Sequence, residues 1–155
     1  MCDSKALLRL LSGLLLACCF TAAGAQGTPT GLWRTIDDNT GKPNALVRIT
    51  EAGGEYTGRV EKIYPGVADE AAPICDQCAG ARHNQPVLGM VILSGVRRNR
   101  DQNSEEYSGG EILDPQNGSV YHALLTMADN GKKLRVRGYF WVTLFGRTQV
   151  WEREE

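Results

Sequence analysis

The 155-residue sequence has almost no net charge, with 17 lysines and arginines against 18 aspartates and glutamates. Without a basic excess, a broad nucleic-acid-binding surface has no support. Only two histidines are present, too few to carry much metal or acid–base chemistry. There is no Gly-x-Ser-x-Gly elbow, P-loop, dinucleotide fingerprint or His-Glu-x-x-His motif. No pair of carboxylates stands out for acid–base work. No internal repeat, low-complexity tract or strand–helix alternation is evident, which argues against an α/β fold. The expectation is a non-enzyme with no catalytic residues, no cofactor and no metal.

Glycine is what the chain does have, 18 residues in all, where an average composition near 7% would give roughly 11. That density suggests many tight turns and so an all-β protein. The length suits one domain with a single core.

The amino terminus reads as a secretory leader. Lys5 and Arg9 give a short positive region, Leu10 to Phe20 is almost wholly apolar, and Ala23-Gly24-Ala25 offers small residues for cleavage before Gln26. A membrane anchor needs about 20 apolar residues, roughly twice this run. Lipidation at Cys18 is the other alternative, weakened by Leu16 and by Asp3 in the positive region. Residues 1–25 are therefore expected to be a cleaved signal peptide. Residues 26–155 are expected to form one periplasmic or secreted domain of a Gram-negative envelope, with no transmembrane span.

Removing the leader leaves Cys75 and Cys78 as the last cysteines. In an oxidising compartment the first reading is a disulfide. Metal binding by Cys75, Cys78 and His83 is the second, although a structural zinc site wants four ligands and His122 lies far away in the sequence. Redox catalysis is the third, but such motifs belong to a helix amino terminus within a βαβ unit.

Eight stretches read as strands. They are residues 31–36, 45–50, 56–64, 87–96, 106–113, 119–127, 132–141 and 146–152. Gly53-Gly54, Asn117-Gly118 and Asp129-Asn130-Gly131 mark hairpin turns, Asn117-Gly118 as type I′. Gly109-Gly110 suggests a bulge. Residues 97–103 read as a polar loop whose arginines are solvated. The segment 87–96 could be a short helix, but its β-branched residues favour a strand. Residues 65–86 break the rhythm and form a long loop, which in a compact domain often serves function. The expected fold is an antiparallel up-and-down barrel of about eight strands.

Three stretches together resemble a known family. They are Gly31-Leu32-Trp33, then Gly109 to Gly118 followed by Tyr121, and finally Leu134 to Tyr139 through Phe145 to Arg153. The chain resembles the small exported bacterial proteins grouped as domain of unknown function 2147. The resemblance implies a lipocalin-like or streptavidin-like barrel, calycin-type, and no established activity. Lipocalins open on Gly-x-Trp, whose indole closes the barrel floor under a late basic residue. Gly31 and Trp33 match, and Arg147 or Arg153 could stack on the ring. Trp151 joins these as a structural residue.

A small barrel of this size can hold one ligand. The candidate inward residues are Val47, Ile49, Tyr56, Val60, His122, Leu124, Leu134 and Val136. Such an interior suits a small hydrophobic or amphiphilic molecule, with the 65–86 loop as lid or mouth. The same residues could instead fill the barrel completely. The alternative function is then a structural or protein-interaction role in the envelope. Interior volume separates the two.

Overall fold

The computed structural model describes residues 27–65, 73–100 and 105–155. The expected leader and its cleavage before Gln26 lie outside the described residues. Eight long strands form a closed antiparallel barrel: β1 (Gly31–Ile36), β2 (Pro43–Ala52), β3 (Glu55–Ile63), β6 (Val91–Arg98), β7 (Glu106–Asp114), β8 (Ser119–Ala128), β9 (Lys133–Tyr139) and β10 (Gly146–Arg153). Two two-residue strands, β4 (Ile74–Cys75) and β5 (Gln85–Pro86), pair with each other in the loop between β3 and β6. Each barrel strand pairs with the next in sequence, and β10 returns to β1 to close the ring. Closure removes the exposed sheet edges that promote aggregation. Among the described residues, no helix is long and apolar enough to cross a membrane.

Inward residues alternate along the strands as a pleated sheet requires. On β2 the buried side chains are Val47 and Ile49, on β8 Ala123, Leu125 and Met127, and on β9 Leu134 and Val136. The packed half of the barrel lies where β1 starts and β10 ends. Trp33 and Trp151 fill it, both essentially without exposure. Tyr56 meets Tyr107 edge-on there, with ring centroids 5.1 Å apart, and burial raises the pKa of the Tyr56 hydroxyl.

Several local expectations change. His122 and Leu124 lie on the opposite side of β8 from buried Ala123 and Leu125, so they face outward. Sequence alternation had grouped them correctly but gave no sign of which face was inner. The apolar 87–96 run splits. Val87 to Gly89 form a turn with exposed Leu88, and β6 runs on through Arg97 and Arg98. Arg97 leaves the expected polar loop to pair with Glu55 at 2.9 Å. The β7–β8 turn is not the two-residue type I′ form, because Asp114 accepts the backbone N–H groups of Gln116 and Gly118 and widens it to four residues. The ninth strand ends at Tyr139, so Phe140 and Trp141 belong to the loop beyond. The Gly109-Gly110 bulge is present, as a register shift between Tyr107 and Gly110.

Candidate ligand-binding cavity

Opposite the packed half, the barrel holds a cavity of about 740 Å³. The value lies in the range of small-molecule pockets, roughly 300–1,000 Å³. Its apolar wall comes from the inward faces of the strands, with Val47, Val60, Ile63, Ile112 and Trp151. Val47, Val60 and Trp151 also belong to the main core, so the top of the packed half is the cavity floor, while Ile63 and Ile112 sit near the far ends of β3 and β7.

The rim is polar. Asp37, Asn44, Asp76, Asp114, Arg147 and Gln149 contribute to it. The Asp37 carboxylate is held below its usual pKa, first by the backbone N–H of Thr40 and then by the Thr40 hydroxyl. It also accepts the backbone N–H of Asn39 at 3.1 Å, so it is locked into its own turn. Arg147 pairs with Asp38 at 2.6 Å. An apolar interior behind a polar rim suits a molecule with an apolar body and one polar end.

The Cys loop forms one side of the mouth. Cys75 and Cys78 are joined by a disulfide, with Cα atoms 5.3 Å apart. Both are buried, and with Met90 and Leu113 they make a second small core. Val87 and Ile92 pack against this core and the main one, so the loop is anchored to the barrel wall. Cys75 Sγ lies 3.3 Å from the carbonyl oxygen of Pro115. An oxidised sulfur carries no proton, so this is a packing contact and not a hydrogen bond. Gly118 lies so close to the loop that a β-carbon would sit 2.1 Å from the Gln77 carbonyl oxygen. Its φ of +69° is also one that other residues rarely adopt. His83, the third residue of the considered metal array, is exposed, and its Nδ1 lies 3.1 Å from the Cys78 carbonyl oxygen.

A bridge across only two intervening residues removes little chain entropy. Replacing Cys75 and Cys78 together by alanine is therefore expected to lower the melting temperature by only a few degrees, on the order of 1–2 kcal/mol. The loop should loosen more than the barrel does. Differential scanning calorimetry measures the first effect, and faster amide exchange over residues 73–90 the second. A variant that fails to fold would make the loop the structural centre of the molecule.

The eight inward candidates now separate into three groups. Val47 and Val60 line the cavity. Ile49, Tyr56, Leu134 and Val136 point inward but pack in the main core away from the cavity lining. His122 and Leu124 are on the outer surface, with the His122 ring 5.5 Å from that of Tyr139. Tyr121, Ile112 and Gln149 line the cavity without having been expected to. Ile112 was hidden because Leu113 beside it is the buried one, under the Cys loop, while Ile112 is half-buried. Two adjacent apolar residues on opposite faces erase the alternation that would have marked the inner face.

The floor follows the lipocalin expectation, and Arg153 supplies the late basic residue. Its guanidinium lies 4.2 Å from the centre of the Trp33 ring. Burial lowers the pKa of Arg153. Arg147 instead stays at the opposite end with Asp38.

No curated protein matches the chain. Among solved structures, it is similar to protein HP1028 from the human pathogen Helicobacter pylori, described as belonging to the lipocalin family. The identity is 20%, the match covers 83% of this chain and 84% of that one, and the TM-score is 0.68. At that identity the likeness shows the fold, a lipocalin-like barrel. The family described as "uncharacterized protein conserved in bacteria", domain of unknown function 2147, matches residues 31–153. Together with the barrel, the Gly-x-Trp floor and the Cys loop, this places the chain in that family: it is a member of domain of unknown function 2147.

Proposed function

We propose that the protein is an exported, non-enzymatic carrier of a small apolar or amphiphilic molecule, acting in the periplasm or outside the cell. The single observation that carries this reading is the cavity of about 740 Å³ in the barrel's open half. A barrel working only as a structural element has no need of such a space, because interiors normally pack without voids larger than a water molecule. The apolar wall would take the ligand's hydrocarbon body. The polar rim would keep its head in contact with water. Arg147 and Gln149 on one strand, and Asp114 on another, are the groups placed to orient that head.

Blocking the cavity tests the reading. Val60 is buried and lines the cavity wall. Val60→Trp would place an indole in the space a ligand needs. Titration with a fluorescent fatty-acid analogue should saturate at one site per chain in the parent protein. Affinity should fall by about tenfold or more in the variant, as expected when one large side chain's worth of apolar contact is lost. Far-ultraviolet circular dichroism should stay that of the barrel. Native mass spectrometry of protein from its own cells should show added mass in the parent and none in Val60→Trp. Equal probe binding by the two proteins would sink the carrier reading and leave the envelope structural role.

A further inference from the structure

The hairpin joining β9 to β10 ends in Phe140-Trp141-Val142-Thr143-Leu144-Phe145, six residues with no charge. Trp141 is 94% exposed, Leu144 78% and Phe145 70%. Contiguous apolar surface of this kind marks an interaction site. The segment has a defined shape. Arg137 Nε donates to the Thr143 carbonyl oxygen at 2.6 Å, and Nη2 to that of Leu144 at 3.2 Å. Its Nη1 donates to Thr148 Oγ1 at 2.7 Å. The Phe145 N–H donates to the Val142 carbonyl oxygen, and the Phe140 N–H to that of Phe145. The Phe140 ring rests on Tyr121, 4.5 Å between centroids. Trp141 holds a φ of +49°, uncommon for a bulky residue.

We propose that this tip docks the protein on a lipid surface, with Trp141, Leu144 and Phe145 entering the boundary between headgroups and acyl chains. Two observations bear on lipid against a second copy of the chain. First, the tip satisfies much of its own backbone. Polar backbone groups entering hydrocarbon without partners are strongly disfavoured, and Arg137 together with the two turn bonds supplies backbone partners for five of the tip's six residues. A dry protein interface would ask the same, so this makes insertion admissible, and the size of the patch is what selects lipid. Second, the patch is small and projecting. A stable protein interface uses about 800 Å² and roughly 20–30 residues per partner. Six residues at a loop tip fall well short of that, yet suit an insertion about 5–10 Å deep. Tryptophan and phenylalanine are suited to that boundary, where one end of the ring is apolar and the surroundings are partly wet.

The placement also has a consequence for the mouth. Gly138, just before the tip, and Arg147, just after it, line the cavity. Docking through the tip would therefore hold the mouth near the lipid. The docking inference rests on the tip alone and stands whether or not the cavity takes a ligand.

The chain has three tryptophans. Trp33 is 0% and Trp151 1% exposed, so a change in emission on docking reports Trp141. The protein, as its cells release it, is mixed with vesicles of phosphatidylethanolamine and phosphatidylglycerol, one set carrying brominated acyl chains. The expected result is a blue shift of the emission and quenching by the brominated lipid. The double variant Leu144→Ser, Phe145→Ser keeps the reporter and changes only exposed positions. It should bind vesicles at least about tenfold more weakly, with an unchanged unfolding midpoint. Three results overturn the proposal. One is vesicle binding without quenching of Trp141, as an amino-terminal attachment would give. Another is equal partitioning of variant and parent. The third is a blue shift that grows with protein concentration in the absence of vesicles, alongside a dimer mass in sedimentation, which assigns the tip to a second copy. Probe titration without vesicles reads the cavity separately, so failure of one reading does not imitate failure of the other.

Discussion

Replacing Trp33 by alanine is expected to destabilise the barrel by about 3–5 kcal/mol, the range for truncating a fully buried large aromatic. Trp33 has no exposed surface, and its neighbours are tied into the closed strand ring. The void would be hard to collapse, which places the cost toward the upper end. A second contribution comes from polar contacts. The indole Nε1 donates to the Pro29 carbonyl oxygen at 2.7 Å. Arg153 lies over the ring and donates to the carbonyl oxygens of Thr28, Thr30 and Gly131 at 2.8, 2.8 and 2.6 Å. The arginine thus ties the segment before β1 to the turn before β9, with the indole as its platform. Gly31 is part of the same device: a β-carbon there would come within 2.6 Å of an Arg153 guanidinium nitrogen. Arg153→Lys keeps the charge but loses the planar fork and the stacking. It is expected to cost about 1–2 kcal/mol. Urea denaturation of the two single variants and the double should show coupling of about 0.5–2 kcal/mol. Additive effects would mean that the stacked pair is only a geometric coincidence.

The barrel was legible in the sequence because its signals are local. The turn before Glu55 comes from adjacent glycines, and strand alternation is clear wherever one face meets water, as on β9 with Leu134 and Val136 buried between exposed Lys133 and Arg135. The floor was legible because Gly31 and Trp33 stand together in the chain. Which arginine crosses the indole was not, since Arg147 and Arg153 are equally arginines until the β1–β10 register aligns Trp33 with Arg153. The cavity was legible only in part. Whether a barrel is filled depends on how inward side chains from eight strands sum at each level, and Val60 and Val136 look alike in sequence. Both belong to the main core, but Val60 also lines the cavity and Val136 does not. The outward placement of His122 and Leu124 was hidden for a related reason. Alternation fixes which residues share a face, and only the partner strands decide which face is inner.

Gly110→Ala is the smallest substitution expected to break the fold. A β-carbon at Gly110 would lie 2.2 Å from the Ser94 carbonyl oxygen, 2.4 Å from the Val96 nitrogen and 2.6 Å from the Gly95 carbonyl carbon. All three are backbone atoms of β6, so no side-chain rotation relieves the clash. The β6–β7 ladder skips this point, passing from Ser94 opposite Glu111 to Arg97 opposite Ser108. The two strands thus approach most closely where the bulge lets them. An alanine must push β6 and β7 apart, and in a closed barrel that strain also reaches the β3–β6 and β7–β8 ladders. Overpacking usually costs about 1–3 kcal/mol. With an immovable backbone on the other side, the expected loss is 3 kcal/mol or more. Gly109→Ala is the control. Gly109 has a φ of +82°, but a β-carbon there would meet nothing within 4 Å, so the expected cost is conformational only, roughly 1–2 kcal/mol. Denaturant midpoints at equal slope decide the comparison. The Gly110 variant should also bind less of the fatty-acid probe, because Ile112 and Asp114, which line the cavity, follow on the same displaced strand. If Gly109→Ala proves the more damaging change, backbone conformation governs the bulge, and the close approach of β6 and β7 is not what Gly110 serves.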